Sequence, residues 1–149
     1  MREIKFRALE KASNYMFKIL SIDFDKETVK VYKPTYHNEL NLKDVELMQF
    51  TGTFDDDGTE IYKGDIVFCD NEDGFCLFLV KFGENEKLPE TVFASFYLNP
   101  IKQFNFSYEA DNWNENDVSA IDIIEKYNPE QKNFVIIGNI YENPELLEG

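Results

Sequence analysis

A single stretch near the middle of the chain, Met48–Val67, constrains the fold more than any other part. At its centre, Asp55-Asp-Asp-Gly58 ends in the Asp-Gly pair that tolerates positive φ and is typical of a tight type I′ hairpin turn. A second turn sequence, Lys63-Gly-Asp65, follows one short apolar run later. Strands that are separated by such closely spaced turns predict a β-meander. This spacing favours a small SH3-like or partly open β-barrel, in which the strands must bend to close.

The rest of the chain has mostly the pattern of strands. Of its 149 residues, 14 are Phe, 8 are Tyr and 43% are hydrophobic, which favours sheets with a sizeable core. Alternating or continuous apolar runs predict strands at Met1–Ala8, Tyr15–Leu20, Thr28–Lys33, Val45–Thr51, Glu60–Tyr62, Ile66–Phe68, Cys76–Phe82, Thr91–Leu98, Lys102–Tyr108 and Phe134–Tyr141. We expect Pro34–Lys43 to be irregular and Asn99-Pro100 to separate two strands. Gly138 predicts a bulge or a close backbone approach in the last strand.

One segment, Asp117–Tyr127, has the pattern of a helix. Its apolar residues recur at near-helical spacing, at Val118, Ile121, Ile124 and Tyr127. Ile123 falls between them, so a strand is the alternative. We expect Asn128-Pro129 to end the helix and residues 142–149 to form a short turn or a docking end.

These elements together predict a mainly β fold, a β-rich α+β arrangement. We expect a small SH3-like or partly open β-barrel with an additional β-meander and one helix near residues 117–127. At this length the chain fits a single domain, residues 1–149. A subdivision into a barrel part, residues 1–68, and a β-rich part with the helix, residues 69–149, is possible within it.

The formal net charge of −14 is the strongest signal in the composition. It argues against direct binding of nucleic acid or of an anionic membrane, because phosphate groups would be repelled. An acidic protein can instead face a basic protein surface, and the other interpretation is that the charge serves only solubility. No apolar run approaches the roughly 20 residues that a membrane-spanning helix needs.

The two cysteines, Cys69 and Cys76, flank the turn-like Asn71-Glu-Asp-Gly74 and can lie across from each other on a hairpin. The chain has no recognisable secretory signal, so we expect a cytoplasmic protein with reduced thiols. Two cysteines and one histidine do not complete a usual structural zinc site without carboxylates.

The sequence predicts no catalytic, cofactor-binding or metal-binding residues. Asp55, Asp56 and Asp57 suggest calcium, but the EF-hand pattern fails at Thr53 and at Gly64, so a hairpin corner explains the acids better. The only histidine, His37, is a conceivable general base or metal ligand, and a surface loop residue is the simpler interpretation. No phosphate-binding loop or nucleophile elbow is present.

Six aromatic residues near the end of the predicted meander suggest two kinds of surface: Phe93, Phe96, Tyr97, Phe104, Phe106 and Tyr108. A stacking platform for single-stranded nucleic acid requires a basic groove, which the local charge does not provide. We therefore expect these side chains to serve the core and contacts between subunits.

Three separated blocks, Met1–Ala8, Met48–Gly52 with Glu60–Val67, and Ile137–Leu147, resemble the YopX proteins, a family of uncharacterised phage and prophage proteins. They cover about a quarter of the chain, and their order and spacing make the likeness specific. At Leu9 the family often has Trp, which affects only local packing. The resemblance implies a mainly β fold, a phage or prophage origin and a homo-oligomer, and it implies no activity.

The favoured hypothesis for function is a non-enzymatic interaction or assembly module that associates with itself through sheet edges and aromatic patches. An alternative is an acidic inhibitor that mimics nucleic acid and binds a basic host or phage protein. A carboxylate- or metal-dependent enzyme is the weaker alternative. No cofactor is expected.

Overall fold

The structure is a computed structural model that describes residues 3–32, 37–71, 74–83, 95–105 and 122–148. The chain divides into two compact units, Met1–Thr53 (unit 1) and Phe54–Gly149 (unit 2). The described ranges contain ten strands: β1 (Phe6–Glu10), β2 (Tyr15–Asp23), β3 (Thr28–Tyr32), β4 (His37–Asn41), β5 (Val45–Phe54), β6 (Glu60–Tyr62), β7 (Asp65–Asn71), β8 (Gly74–Gly83), β9 (Ser95–Asn105) and β10 (Phe134–Asn139). Helix α1 covers residues 122–127, and 3₁₀ turns cover Leu42–Asp44 and Pro144–Leu147. Compact units are not by themselves independent folding domains, so the single domain and its subdivision after residue 68 stay predictions.

In unit 1, antiparallel strands lie in the order β4-β3-β2-β1-β5. Their register places alternate apolar residues on one face, since Ala8 lies opposite Phe17 on one side and Leu47 on the other. The buried members of this core are Ala8, Phe17, Val29, Val31 and Val45. Burying each larger side chain of this kind stabilises the fold by about 2 kcal/mol.

In unit 2, antiparallel strands lie in the order β10-β7-β8-β9. One face carries a core of Ile66, Phe68, Phe75, Leu77, Val135, Ile137 and Leu146, against which apolar residues of α1 pack. The rings of Phe68, Phe75 and Phe104 stack in series, with centroids 4.6 Å apart at each step. The opposite face has its own cluster around Ile61, Val67 and Val80. This sheet is therefore apolar on both faces.

The structure confirms a mainly β fold with a helix near the C-terminus. It also confirms a bulge at Gly138, where the register between β10 and β7 shifts. α1 confirms the helical interpretation for residues 122–127, whereas the first part of the predicted helix, up to residue 121, lies outside the described residues. In the ranges that the structure describes, neither sheet closes into an SH3-like barrel. No described helix is long and apolar enough to cross a membrane.

Two predictions about strands are wrong. The segment predicted to be irregular contains β4, which pairs with β3 residue by residue from His37 opposite Tyr32 to Asn41 opposite Thr28. Its sequence has a single large apolar residue, Leu40, so the backbone pairing with β3 and not the hydrophobic pattern makes it a strand. The two strands expected on either side of Pro100 are one strand, β9, which is the outermost strand of its sheet among the described residues. Pro100 is tolerated because it lies opposite Phe78, beside a bulge on an edge strand.

Candidate functional site

The carboxylate of Asp55 is buried, with 7% of the residue exposed. Its Oδ1 accepts hydrogen bonds from the N–H groups of Asp57 at 3.0 Å and Thr59 at 2.9 Å. Its Oδ2 accepts a third from the N–H of Ile136 in β10, at 3.1 Å. Both oxygens are thus occupied by main-chain donors, one of them 81 residues away along the chain. Asp55 holds the corner between β5 and β6 against β10.

The neighbouring Asp56 and Asp57 also connect the corner to β10 or to the residue Lys132 shortly before it. The N–H of Asp56 donates to the carbonyl of Phe134 at 2.9 Å, and its Oδ2 accepts the N–H of Phe134 at 2.8 Å. The carboxylate of Asp57 pairs with the ammonium of Lys132. We call Asp55–Asp57 the acid corner. It clamps the turn before β6 to β10 and to Lys132, within unit 2.

The hairpin corner is confirmed, but its predicted type I′ geometry is wrong. Gly58 has a φ of +77°, whereas Asp57 is not among the described non-glycine residues with positive φ. The Gly58 N–H donates to the Asp55 carbonyl, and the Asp55 N–H donates to the Thr59 carbonyl. This is the longer kind of hairpin loop, in which an ordinary turn is followed by a left-handed glycine. The hydrogen bonds to the Asp55 side chain favour it over the two-residue turn.

A second buried carboxylate, Asp65, is 1% exposed and starts β7. Its Oδ2 accepts the N–H of Tyr62 at 2.8 Å, which closes the turn around Gly64. Gly64 has a φ of +90°, its N–H donates to Val80 at 2.8 Å, and its carbonyl accepts the N–H of Ile140 at 3.0 Å. Asp65, like Asp55, therefore stabilises a turn by accepting a hydrogen bond from the main chain.

The loop after β10 is held by two asparagine side chains. Oδ1 of the buried Asn139 accepts the N–H groups of Tyr141 at 3.0 Å and Glu142 at 2.8 Å. The side chain of Asn143 occupies the place of a Cβ at Gly138, which would lie 2.3 Å from its Oδ1. Of the two alternatives predicted at Gly138, the bulge is confirmed, and the group that approaches closely is a side chain and not another backbone segment.

The 3₁₀ turn that follows ends the chain on the core of unit 2, with Leu146 only 2% exposed. The predicted docking of the tail is confirmed. The hydroxyl of Tyr127 in α1 donates to Glu145 at 2.7 Å, and this hydrogen bond holds the pKa of the exposed Glu145 carboxyl below its ordinary value.

Cys69 in β7 lies directly opposite Cys76 in β8, as the sequence predicts, and both are partly exposed free thiols. Burial raises the pKa of the Cys69 thiol, and the nearby Cys76, Asp70 and Asp56 raise it further.

A concavity in unit 1 lies at the turn between β2 and β3, and we call it the tip groove. It is an open groove of about 530 Å³ lined by Ser21, Ile22, Asp23, Phe24, Asp25, Lys26, Thr28, Lys30 and Glu39. Oδ1 of Asp23 accepts the N–H of Lys26 at 2.9 Å, which shapes the turn between β2 and β3. Beside it, Phe24 is 77% exposed. The groove combines three acids and two lysines with an aromatic ring in solvent.

The charge is divided unequally between the units. Unit 1 has nine Lys and Arg against eight Asp and Glu, a net charge of +1. Unit 2 has six against 21, a net charge of −15. The acidity of the chain therefore belongs to unit 2.

A model of the YopX protein family matches residues 5–148. The chain belongs to the YopX family. The crystal structure of protein EF1440 from Enterococcus faecalis is similar to it, with a TM-score of 0.55 and 19% identity over 99% of this chain and 100% of that one. At such an identity the likeness shows a shared fold and nothing about activity. None of the curated proteins compared with the chain matches it.

The three blocks that resemble the YopX family are paired by backbone hydrogen bonds within the units. In unit 1, β1 from the first block runs antiparallel to β5 from the middle block, with Phe6 opposite Gln49. In unit 2, Asp65 from the middle block lies opposite Asn139 from the last block. The blocks are thus strand partners and the turns that support them. Their residues are explained by the fold.

The other residues considered from sequence do not form a site in this YopX protein. His37 lies in β4 and not in a loop, and its side chain is outside the described residues. Phe104 stacks on Phe75, while Phe96 contacts Phe82 on the opposite face of the sheet, with centroids 4.8 Å apart. Phe96 and Phe104 therefore cannot form one stacking platform. Phe93, Phe106 and Tyr108 lie outside the described residues. Within the part that is described, no three His, Cys, Asp or Glu side chains come together to hold a metal ion.

Sequence reasoning missed the tip groove and the division of charge. Phe24 follows an alternating strand and carries no signal of its own, although an aromatic residue inside a charged turn is an available hint. The charges can be counted from the sequence, but only the structure shows where one unit ends and the other begins.

Proposed function

We propose that this YopX protein is a non-enzymatic interaction module of phage or prophage origin, which acts in the cytoplasm and associates with itself through unit 1. The observation that carries the proposal is the combination in unit 1 of a near-neutral charge and exposed apolar side chains. The two buried carboxylates among the described residues, Asp55 and Asp65, accept main-chain hydrogen bonds, which gives the alternative of a carboxylate enzyme no support.

Charge favours unit 1 as the self-contact. Two copies of unit 2 would bring together net charges of −15 each, and like charges on facing surfaces cost several kcal/mol. Two copies of unit 1, at +1 each, meet almost no such penalty. The tip groove also has a mixed lining, in which Lys30 of β3 lies opposite Glu39 of β4 in the same chain.

The exposed apolar side chains supply the attraction. Four of them lie on β2, β3 and the turn between these strands: Tyr15 at 58%, Leu20 at 46%, Phe24 at 77% and Tyr32 at 49% exposed. Aromatic anchors beside a polar rim are the composition that protein interfaces favour. Sheet edges are poorer candidates, because β4 is short and β9 contains Pro100.

Sedimentation velocity over a concentration series tests the proposal. The wild-type protein should form a dimer or larger species at micromolar concentration. Phe24→Ser should weaken association about tenfold, because the buried ring would contribute well over 1 kcal/mol. The matched control is Leu98→Ser, which removes an exposed apolar side chain, 43% exposed, from unit 2. A monomer at every concentration, or equal weakening by both variants, would contradict the proposal.

A second candidate function rests on the charge of unit 2. An acidic surface of this kind can bind a basic protein in the place of nucleic acid. The α1 residues Asp122 and Glu125 are exposed and belong to that surface.

Capture from a bacterial lysate at low and high salt distinguishes this candidate. We expect recovery of DNA- or RNA-binding proteins that is lost at high salt, because exposed charges are then screened. The double variant D122N/E125Q should reduce recovery. D25N/E39Q, the same change of charge in unit 1, should not. Recovery of no basic protein would rule this candidate out.

A further inference from the structure

The two cysteines occupy one cross-strand position in unit 2. The register of β7 and β8 places Cys69 directly opposite Cys76, with Phe68 opposite Leu77 on one side and Asp70 opposite Phe75 on the other. Residues directly opposite each other in antiparallel strands have Cβ atoms about 4.5 to 5.5 Å apart. A disulfide needs about 3.5 to 4.5 Å. A small approach of the two strands therefore suffices to join the sulfurs.

The surroundings of the two sulfurs differ. The Sγ of Cys76 accepts a hydrogen bond from Nδ2 of Asn71 at 3.8 Å, so an N–H donor points at this sulfur. The Sγ of Cys69 instead donates to the carbonyl of Asp70 at 3.7 Å, which requires that the thiol keep its proton. Burial and the neighbouring Asp70 and Asp56 act in the same direction, because they raise the pKa of the Cys69 thiol.

We propose that Cys69 and Cys76 form a reversible thiol–disulfide site that takes small-molecule disulfides as its oxidant, with Cys76 as the attacking thiol and Cys69 as the resolving thiol. The Cys76 thiolate attacks one sulfur of the small disulfide, whose S–S bond breaks and releases one small thiolate. The Cys69 thiolate then attacks the Cys76 sulfur of the mixed disulfide and displaces the second small thiolate. The protein loses two protons and two electrons, and the small disulfide gains them as two thiols.

The same geometry makes the bond easy to reverse. Joining the sulfurs would draw β7 and β8 closer together than an unbridged cross-strand pair, so we expect a strained bond, and strained disulfides are the more reducible ones. The bond would join β7, which also pairs with β10 through Cys69 opposite Phe134, to β8. Oxidation would thus fix the end of this hairpin beside the acid corner.

Intact-mass spectrometry of the full chain after incubation with glutathione disulfide and acid quenching tests the site. The wild-type protein should lose two hydrogen atoms, retain no glutathione, and regain both free thiols in dithiothreitol. Cys69→Ser should keep one glutathione on Cys76, because the resolving thiol is missing. Cys76→Ser should react more slowly than Cys69→Ser, and Asn71→Ala should slow the first step about threefold.

The outcomes separate the parts of the proposal. A wild-type protein that stays unreacted, keeps glutathione on both cysteines, or forms only dimers linked by a disulfide overturns the site. Equal rates for Cys69→Ser and Cys76→Ser overturn the order of attack. The wild-type reaction needs no substitution, so a variant that folds poorly does not affect the main test.

Discussion

Substitution of Asp55 gives the most direct test of the acid corner. Asp55→Ala removes the acceptor of three main-chain hydrogen bonds, to Asp57, Thr59 and Ile136, at 2.9 to 3.1 Å. A hydrogen bond to a charged group contributes about 1.5 kcal/mol or more, and an unpaired buried donor carries a similar cost. Water can replace the acceptor at the more exposed end of the loop. We therefore expect a loss of about 3 kcal/mol in the free energy of unfolding.

Two further substitutions compare how much the hydrogen bonds of Asp55 and the ion pair of Asp57 contribute to the free energy of unfolding. Asp55→Asn keeps Oδ1 but turns an amide NH₂ toward the N–H of Ile136, so we expect a smaller loss of about 1 to 2 kcal/mol. Asp57→Ala removes only a partly exposed ion pair with Lys132 and should cost about 0.5 kcal/mol.

Urea unfolding followed by fluorescence measures these losses, and thermal unfolding should show Asp55→Ala about 10 °C below the wild type. A loss below about 0.5 kcal/mol for Asp55→Ala would refute the role of the clamp. So would a larger effect of Asp57→Ala than of Asp55→Ala. Calcium that stabilises the wild type but not Asp55→Ala would show that the corner binds metal.

Three other substitutions test the C-terminal part of unit 2. Gly138→Ala should cost about 2 kcal/mol in urea unfolding, because the new Cβ displaces the Asn143 side chain and its hydrogen bonds; an unchanged stability would contradict the close approach. Leu146→Ala should cost about 3 kcal/mol by the same measurement if the tail is part of the core, and a surface-like effect would show that the tail is not docked. Tyr127→Phe should raise the lowered pKa of Glu145 toward its ordinary value in a carboxyl NMR titration. The favourable contribution of that hydrogen bond is present above the pKa of unfolded Glu145 and is lost as pH falls through the folded pKa, so the wild type and Tyr127→Phe should differ least in acid.

Local pattern was enough to predict most strands. β2, β3 and β8 lie where alternating or continuous apolar runs predict them, because one face or both faces of each strand are buried. β4 was not predictable in this way, because its membership of the sheet rests on backbone pairing with β3. The break predicted at Pro100 failed because proline excludes a central strand and not an edge strand with a bulge.

The candidate surfaces were less predictable than the strands. Phe96 and Phe104 point to opposite faces of the sheet because a bulge in β9 shifts its register with β8. The exposure of Phe24 depends on the turn that Asp23 closes, although Leu20, Ile22 and Phe24 still alternate with polar residues in the sequence. An apolar residue in a sequence does not show whether a neighbour covers it.

The sequence by itself determined the mainly β pattern, the corner at Asp55–Gly58, the opposition of Cys69 and Cys76, and the likeness to the YopX family. The first three features depend on φ preferences and on residues within a few positions of each other, and the likeness depends on the order and spacing of three short blocks. Only the tertiary structure decided that the acid corner is a clamp on β10 and that unit 2 carries the acidity. Asp55 bonds to Ile136, 81 residues further along the chain, only because β10 comes to lie beside the corner. The packing of the whole sheet decides which strands become neighbours.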